Sequence, residues 1–270
     1  MERKGYSLNV GGRLLDLSVP CVMGIMNVTP DSFYAGSRVQ QEQDVARRLQ
    51  TMLAEGAGMV DIGGCSTRPG STPVDEAEEM NRLRWCLETV RREGGKDVIV
   101  SVDTFRASVA RMCVEQYGVQ MVNDVSGGAD TQMFPTVAEL GVPYVLTLTA
   151  PLDRDSLRRL SEQVATLHSL GQKDIVIDPG FGFGKTLEEN YFLLHHLESL
   201  RMLDLPLLVG VSRKSMVTKV LDCTPDDALN GTTVLHTMCL TKGCADILRV
   251  HDVRACADII KIVSAWRVKI

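Results

Sequence analysis

The chain has 270 residues, of which 44% are hydrophobic and 23% are charged, and its formal net charge at pH 7 is −5. This composition is ordinary for a globular protein, and the acidic balance excludes a broad basic surface for nucleic acid or membrane headgroups. No apolar run reaches the roughly 18 residues of a transmembrane helix, and no apolar signal segment follows the first residues. We therefore expect a cytoplasmic protein whose eight cysteines are reduced.

The first predicted element is a β-hairpin over residues 6–18, with its turn at Asn9-Val10-Gly11-Gly12. Eight short apolar runs follow, and each ends on a polar residue that leads into a helical stretch. The runs cover residues 19–26, 59–60, 98–102, 120–122, 142–146, 175–177, 207–211 and 246–248. Their polar end residues are Asn27, Asp61, Asp103, Asn123, Thr147, Asp178, Ser212 and Arg249. The clearest amphipathic helical patterns cover 44–55, 76–92, 157–170, 228–241 and 254–267.

Eight β-then-α units of about 30 residues predict an α/β fold, a closed parallel (β/α)8 TIM barrel with an N-terminal β-hairpin. We place the hairpin within residues 1–18, where it covers the lower end of the barrel. The barrel itself occupies residues 19–267 of a single domain, 1–270. Because periodicity alone does not show closure, a doubly wound open sheet is the alternative. In a TIM barrel the active site lies at the carboxyl ends of the strands, where the eight polar residues are expected.

The carboxylates at the strand ends predict a polar binding site. Asp61, Asp103 and Asp178 follow apolar runs, where an unpaired charge would be costly, so each needs a cation, a metal or a donor-rich ligand. Asp103 and Asn123 end neighbouring strands, and together they suit a heterocycle with N–H donors and ring acceptors.

The cations near the last two strands predict an anion site. Arg249 and His251 occupy alternate positions after the eighth run, and loops after strands seven and eight often bind phosphate in this fold. In the purely structural alternative, Lys214 or Arg249 pairs with the buried carboxylates.

Two segments of the chain resemble signatures of the dihydropteroate synthase family. They are Met-Gly-Ile-Met-Asn-Val-Thr-Pro-Asp-Ser-Phe at 23–33 and Asp-Pro-Gly-Phe-Gly-Phe-Gly-Lys at 178–185. The segments 61–70, 103–104, 123–128, 212–215 and 249–253 are similar to the remaining blocks of that family, in the same order. The resemblance covers residues 6–267. It implies that 6-hydroxymethyl-7,8-dihydropterin diphosphate and 4-aminobenzoate condense to 7,8-dihydropteroate and diphosphate, a step of folate biosynthesis.

The resemblance also implies roles for individual residues, and all of these are expectations. The pterin ring would be held by Asp103, Asn123, Asp178 and Lys214. The diphosphate would be held by Asn27, Arg68, Arg249 and His251, with Mg2+ bridging its oxygens and Asn27. The aminobenzoate pocket, where sulfonamides would compete, would be formed by Thr67, Arg68, Pro69, Phe183 and Ser212. The catalytic residues would be Asp103, Lys214, Arg249 and His251.

Three segments depart from the family pattern. Residues 146–151 read Leu-Thr-Leu-Thr-Ala-Pro where the family usually has a Met-His-Met-x-Gly stretch, which removes a methionine expected against the pterin. Cys65 replaces a usual glutamate, and Ala35-Gly36-Ser37 replaces Asp-Gly-Gly.

Two other functions remain open at this stage. A pterin-binding methyltransferase barrel, which moves a methyl group from methyltetrahydrofolate to a corrinoid, would not need Arg68 or the Arg249 and His251 anion site. A non-catalytic paralogue would bind a pterin without turning it over. Apolar positions on the last two helices would permit a homodimer.

Overall fold

The computed structural model describes residues 5–28, 38–65, 74–95 and 97–267. An antiparallel hairpin of β1 (Ser7–Val10) and β2 (Arg13–Asp16) comes first. Its turn passes through Gly11 and Gly12, whose φ angles of 61° and 83° favour glycine. The apolar side of the hairpin packs on the amino-terminal ends of the barrel strands through Leu8, Val10 and Leu17. The predicted hairpin and its position at the lower end of the barrel are confirmed.

Eight parallel strands form the barrel. They are β3 (Cys21–Asn27), β4 (Met59–Gly63), β5 (Ile99–Asp103), β6 (Met121–Asp124), β7 (Tyr144–Thr147), β8 (Ile175–Asp178), β9 (Leu208–Val209) and β10 (Ile247–Val250). They are hydrogen-bonded in the order β8-β7-β6-β5-β4-β3-β10-β9. A parallel bridge between Ile177 and Leu207 joins β8 to the start of β9 and closes the ring. The TIM barrel is therefore confirmed, and the open doubly wound sheet is wrong.

Helices surround the barrel and bury the outer faces of its strands. They are α1 (Arg38–Glu55), α2 (Glu76–Gly94), α3 (Ala107–Tyr117), α4 (Met133–Leu140), α5 (Arg154–Ser169), α6 (Leu187–His195), α7 (Ser215–Leu221), α8 (Leu229–Thr241) and α9 (Val253–Arg267), with a 3₁₀-helix over Leu197–Leu203. Side chains of Asp75, Asp153 and Thr186 accept N–H groups at the starts of α2, α5 and α6, which stabilises those first turns. In the part of the chain that the structure describes, no helix is long and apolar enough to cross a membrane.

Four strands do not end at the expected polar residue, and one of them, β6, continues one residue past Asn123 to Asp124. β4 continues to Gly63, so that Asp61 lies inside the strand, and β10 includes Arg249. A polar side chain that faces the barrel interior can form hydrogen bonds with residues of other strands there. The strand can therefore continue past that residue. By contrast, β9 contains only two residues, Leu208–Val209, where the sequence predicted five.

Candidate active site

The polar side chains at the centre of the barrel come from alternate positions of its strands. A lower layer of inward-facing apolar side chains includes Met59, Met121, Val176 and Ile247, which pack against the hairpin. Because side chains alternate along a strand, the residue two positions later faces the same side one layer higher. That rule places one set of polar residues in the next layer: Asp61, Asn123, Asp178 and Arg249.

Arg249 lies at the centre of a buried ion-pair cluster, in which it contacts both Asp61 and Asp103. Its Nε donates to Asp61 Oδ2 at 2.6 Å, and its Nη2 donates to Asp103 Oδ2 at 2.6 Å. Asn123 Nδ2 donates to the same Asp61 oxygen at 2.9 Å. Strand register explains the geometry, since Asp103 is paired with Gly63 on one side and with Asn123 on the other. The pairing of buried carboxylates with Arg249, weighed above as the structural alternative, is confirmed for Asp61 and Asp103.

Two oxygen atoms of the cluster can still accept hydrogen bonds. Asp61 Oδ1 and Asn123 Oδ1 are buried and accept no hydrogen bond from the described residues. Burial raises the pKa of Asp103 to about 7, while Arg249 opposes this shift and the neighbouring carboxylate of Asp61 adds to it. Buried oxygens without partners are costly, and a ligand that brings N–H donors would satisfy them. The arrangement therefore suits a flat, donor-rich heterocycle.

Asp178 and Lys214 form the other side of this site. Asp178 Oδ1 accepts the backbone N–H of Gly180 at 2.7 Å, and burial raises its pKa despite the opposing charge of Lys214. Lys214 donates to the Phe181 carbonyl, and its Nζ lies 4.4 Å from the centroid of the Phe183 ring. Burial lowers the pKa of Lys214 to about 8, against the attraction of Asp178. This lysine can therefore donate a hydrogen bond near neutral pH and lose its proton slightly above it.

His251 and Ser212 meet at the mouth of the barrel. The Ser212 hydroxyl lies 3.0 Å from His251 Nδ1 and also accepts the His251 backbone N–H at 3.2 Å. Arg48 of α1 donates to the His251 carbonyl at 2.7 Å. These contacts fix the His251 ring against the loop after β9.

Asn27 ends β3 and is half-buried. A Cβ atom at Gly63 would lie 3.4 Å from Asn27 Oδ1, so the amide stands close to the carboxyl end of β4. No group of three or more His, Cys, Asp or Glu side chains suited to a metal occurs within the described ranges. The other expected residues of this region, Thr67, Arg68 and Pro69, lie outside the described residues, as do positions 35–37.

The sequence left two residues of this site without a role. Asp61 was noted as a buried carboxylate, and its position between Asn123 and Arg249 became visible only in the barrel. Thr147, in the departing segment 146–151, is buried, and its hydroxyl donates to the Asp124 carbonyl at 2.8 Å. The side chain at the position of the family's usual histidine is thus tied to β6.

The whole barrel matches known proteins. The family model described as pterin binding enzyme matches residues 23–251. The chain is 40% identical to the dihydropteroate synthase of Bacillus subtilis (strain 168), over 90% of this chain and 87% of that protein.

Solved structures agree with this match. Xanthomonas albilineans dihydropteroate synthase with 4-aminobenzoic acid superposes with a TM-score of 0.90 at 35% identity, covering 99% of this chain and 100% of that one. A Yersinia pestis dihydropteroate synthase with a sulfonamide drug superposes with a TM-score of 0.88 at 35% identity, covering 98% and 100%. Fold, ordered motifs and overall similarity agree, and the chain belongs to the dihydropteroate synthase family of pterin-binding enzymes.

Proposed function

We propose that this chain condenses 6-hydroxymethyl-7,8-dihydropterin diphosphate with 4-aminobenzoate, which yields 7,8-dihydropteroate and diphosphate. The observation that carries the proposal is the buried cluster of Asp61, Asp103, Asn123 and Arg249, with two acceptor oxygens that lack donors among the described residues. A pterin presents amino and ring N–H donors on one edge, which is the pattern that these acceptors need. The similarity to dihydropteroate synthases, one of them solved with 4-aminobenzoic acid, supports the same reaction.

The pterin ring binds, in this proposal, between the carboxylate cluster and the β8 loop. Asp103 and Asn123 accept its N–H groups, Asp61 Oδ1 is a further acceptor in the same cluster, and Asp178 accepts from the opposite side. Lys214 donates to a ring acceptor. Although burial lowers its pKa to about 8, its amino group is still mostly protonated at neutral pH. Arg249 donates through Nε and Nη2 to the two carboxylates beside the ring, and its Nη1 is the group proposed to face the diphosphate.

The diphosphate extends toward the mouth of the barrel, where Asn27, Arg68, Arg249 and His251 are its proposed contacts. The donor set at this end fits Mg2+, because that ion commonly takes one or two protein oxygens and completes its shell with substrate phosphates and water. Asn27 offers one amide oxygen at the end of β3. When bound, Mg2+ would offset negative charge on the leaving diphosphate.

The bond between carbon and the diphosphate oxygen breaks, in this mechanism, before the weakly nucleophilic amine attacks. Positive charge then develops on the pterin and its methylene carbon, and the buried Asp103 carboxylate stabilises it. Arg249 and His251 stabilise the departing anion. A secondary deuterium isotope effect clearly above unity at the methylene is expected, and an effect near unity would contradict this order of steps.

The aminobenzoate pocket is proposed to lie at the outer end of the site. Phe183 and Ser212 form its described part, and Thr67, Arg68 and Pro69 complete it. Sulfonamides carry a similar aromatic amine, so we expect them to compete with aminobenzoate.

The test is incubation of the purified protein with the pterin diphosphate, 4-aminobenzoate and Mg2+, with both products measured. Equal amounts of dihydropteroate and diphosphate are expected. Tight binding of the pterin diphosphate without product would favour the non-catalytic paralogue. Methyl transfer from methyltetrahydrofolate to a corrinoid, without affinity for diphosphate, would favour the methyltransferase.

Assembly and location are separate proposals. We propose a single-domain, cytoplasmic enzyme that forms a homodimer through the apolar side chains exposed on α8 and α9. Met238 is 46% exposed, and Ile262 and Trp266 are each 70% exposed, on two helices that pack beside each other. Sedimentation analysis of the wild type and of Met238→Glu tests the dimer.

A further inference from the structure

Lys185 places its ammonium group among three backbone carbonyl oxygens. Its Nζ donates to Leu148 O at 2.7 Å and to Gly180 O at 2.9 Å, and a longer contact of 3.4 Å reaches Phe183 O. Leu148 belongs to the loop after β7, whereas Gly180 and Phe183 belong to the loop after β8. One side chain therefore joins two loops at the carboxyl end of the barrel.

These loops come unusually close to each other. Gly180 has a φ of 71°, and a Cβ atom at this position would collide with the Leu148 carbonyl oxygen. The carbonyl dipoles that converge here present partial negative charge to one another, which is unfavourable unless a cation lies between them. The ammonium of Lys185 supplies that cation and three donors.

The β8 loop that Lys185 holds carries groups of the proposed site. Phe183 packs under the amino group of Lys214, and Phe181 accepts a hydrogen bond from that same group. Asn190 of α6 fixes the other side of the loop, since it accepts the Gly182 N–H at 2.7 Å and donates to the Lys185 carbonyl at 3.2 Å. Movement of the loop would therefore displace the aromatic ring of Phe183, whereas Lys214 is anchored on the loop after β9 by its backbone N–H to the Val211 carbonyl at 3.3 Å.

We propose that Lys185 is a positioning residue, which holds the β8 loop against the loop after β7 and thereby places Phe183 for the aminobenzoate. The proposal rests on the proposed function for its kinetic part and on the geometry alone for its structural part. The proposal also gives the segment 146–151 a role, because the carbonyl oxygen of Leu148 in that segment accepts a hydrogen bond from Lys185. A backbone contact of this kind survives the replacement of the usual Met-His-Met side chains.

The charges around Lys185 are compatible with this role. Asp178 at the end of β8 and Glu189 on α6 attract its ammonium group, and Lys214 after β9 repels it. Burial lowers the pKa of Lys185 to about 8, so the charged form prevails at pH 7.

The first experiment measures amide hydrogen exchange in the free protein at pH 7. Lys185→Met should speed exchange at Gly180, Gly182 and Phe183 by about tenfold or more, because their hydrogen bonds depend on the closed loop. Lys173→Met, the same change at an exposed lysine just before β8, is the matched control and should leave these rates unchanged. Wild-type rates in Lys185→Met would overturn the proposal.

The second experiment separates positioning from a general loss of stability. Lys185→Met should raise KM for aminobenzoate by about tenfold, with the affinity for the pterin diphosphate changed less than about threefold. Lys185→Arg keeps the charge and should restore most of the aminobenzoate KM. Equal losses for both substrates, or no rescue by arginine, would overturn the proposal.

The test still decides if Lys185→Met does not fold or if the wild type is inactive. If Lys185→Met does not fold, the exchange measurement is made on Lys185→Gln, which keeps N–H donors and loses the charge. Faster loop exchange in that variant supports the proposal, and wild-type exchange overturns it. If the wild type makes no dihydropteroate, the proposed function fails, while the exchange result still decides the role of Lys185.

Discussion

Replacement of Arg249 by methionine tests the central cluster most directly. Methionine fills similar apolar volume but leaves Asp61 and Asp103 without the cation that each contacts at 2.6 Å. The side chain of Asp61 is 0% exposed, so water cannot replace the lost partner. We expect a large loss in the free energy of unfolding, since removal of one member of a buried ion pair typically costs about 3–5 kcal/mol.

The loss in the free energy of unfolding caused by Arg249→Met has an upper limit that depends on pH. A stranded carboxylate can always take up a proton, and protonation of an ordinary aspartic acid (pKa about 3.9) costs about 5 kcal/mol at pH 7.5 and about 2 kcal/mol at pH 5.5. Asp103 adds little, because burial already raises its pKa to about 7. The loss caused by Arg249→Met should therefore be about 3–5 kcal/mol at pH 7.5 and shrink to about 2 kcal/mol at pH 5.5.

The assay is urea unfolding, followed by circular dichroism, of the wild type and the variant at both pH values. The double variant Asp61→Asn, Arg249→Met removes the stranded charge and should recover much of the loss at pH 7.5. A loss below about 1 kcal/mol at pH 7.5 would refute the reasoning, as would a loss that is the same at both pH values.

Three further predictions concern individual titratable groups. Burial lowers the pKa of His236 to about 4 in the folded protein. As the pH falls below 6.5, this histidine is therefore protonated in the unfolded chain before it is protonated in the folded one, and the folded state progressively loses stability. The wild type should lose about 2 kcal/mol from this source between pH 7.5 and 5, and unfolding curves of His236→Leu should lack that loss. In the pH profile of kcat/KM, activity should rise through about 7 as Asp103 ionises and fall above about 8 as Lys214 loses its proton; a flat profile from pH 6 to 9 would contradict both assignments. Asp103→Asn should lower the single-turnover rate by about a hundredfold. Its melting temperature should stay close to that of the wild type, because Arg249 keeps its ion pair with Asp61 and burial already raises the pKa of Asp103 to about 7. Near-normal chemistry would remove Asp103 from the catalytic residues.

Local patterns were sufficient for most of the fold. The alternation of short apolar runs with amphipathic helices predicted the barrel, and the Gly11-Gly12 turn predicted the hairpin. The ends of the strands were less accurate, because a polar residue in sequence looks the same whether it faces solvent or a partner across the barrel. Asp61 and Arg249 were both expected just beyond a strand, and both lie within one.

The sequence by itself determined which polar groups come at the carboxyl ends of the strands, and its ordered motifs identify the family. That Asp61, Asn123, Asp178 and Arg249 face inward in one layer became visible only in the closed barrel. Their partners could not be read in the same way. Arg249 reaches past β3 to Asp61, a residue 188 positions away in the chain, and Lys185 meets the Leu148 carbonyl, 37 positions away. Such contacts depend on how strands close into a ring and on where backbone carbonyls point, and only the tertiary structure decides both.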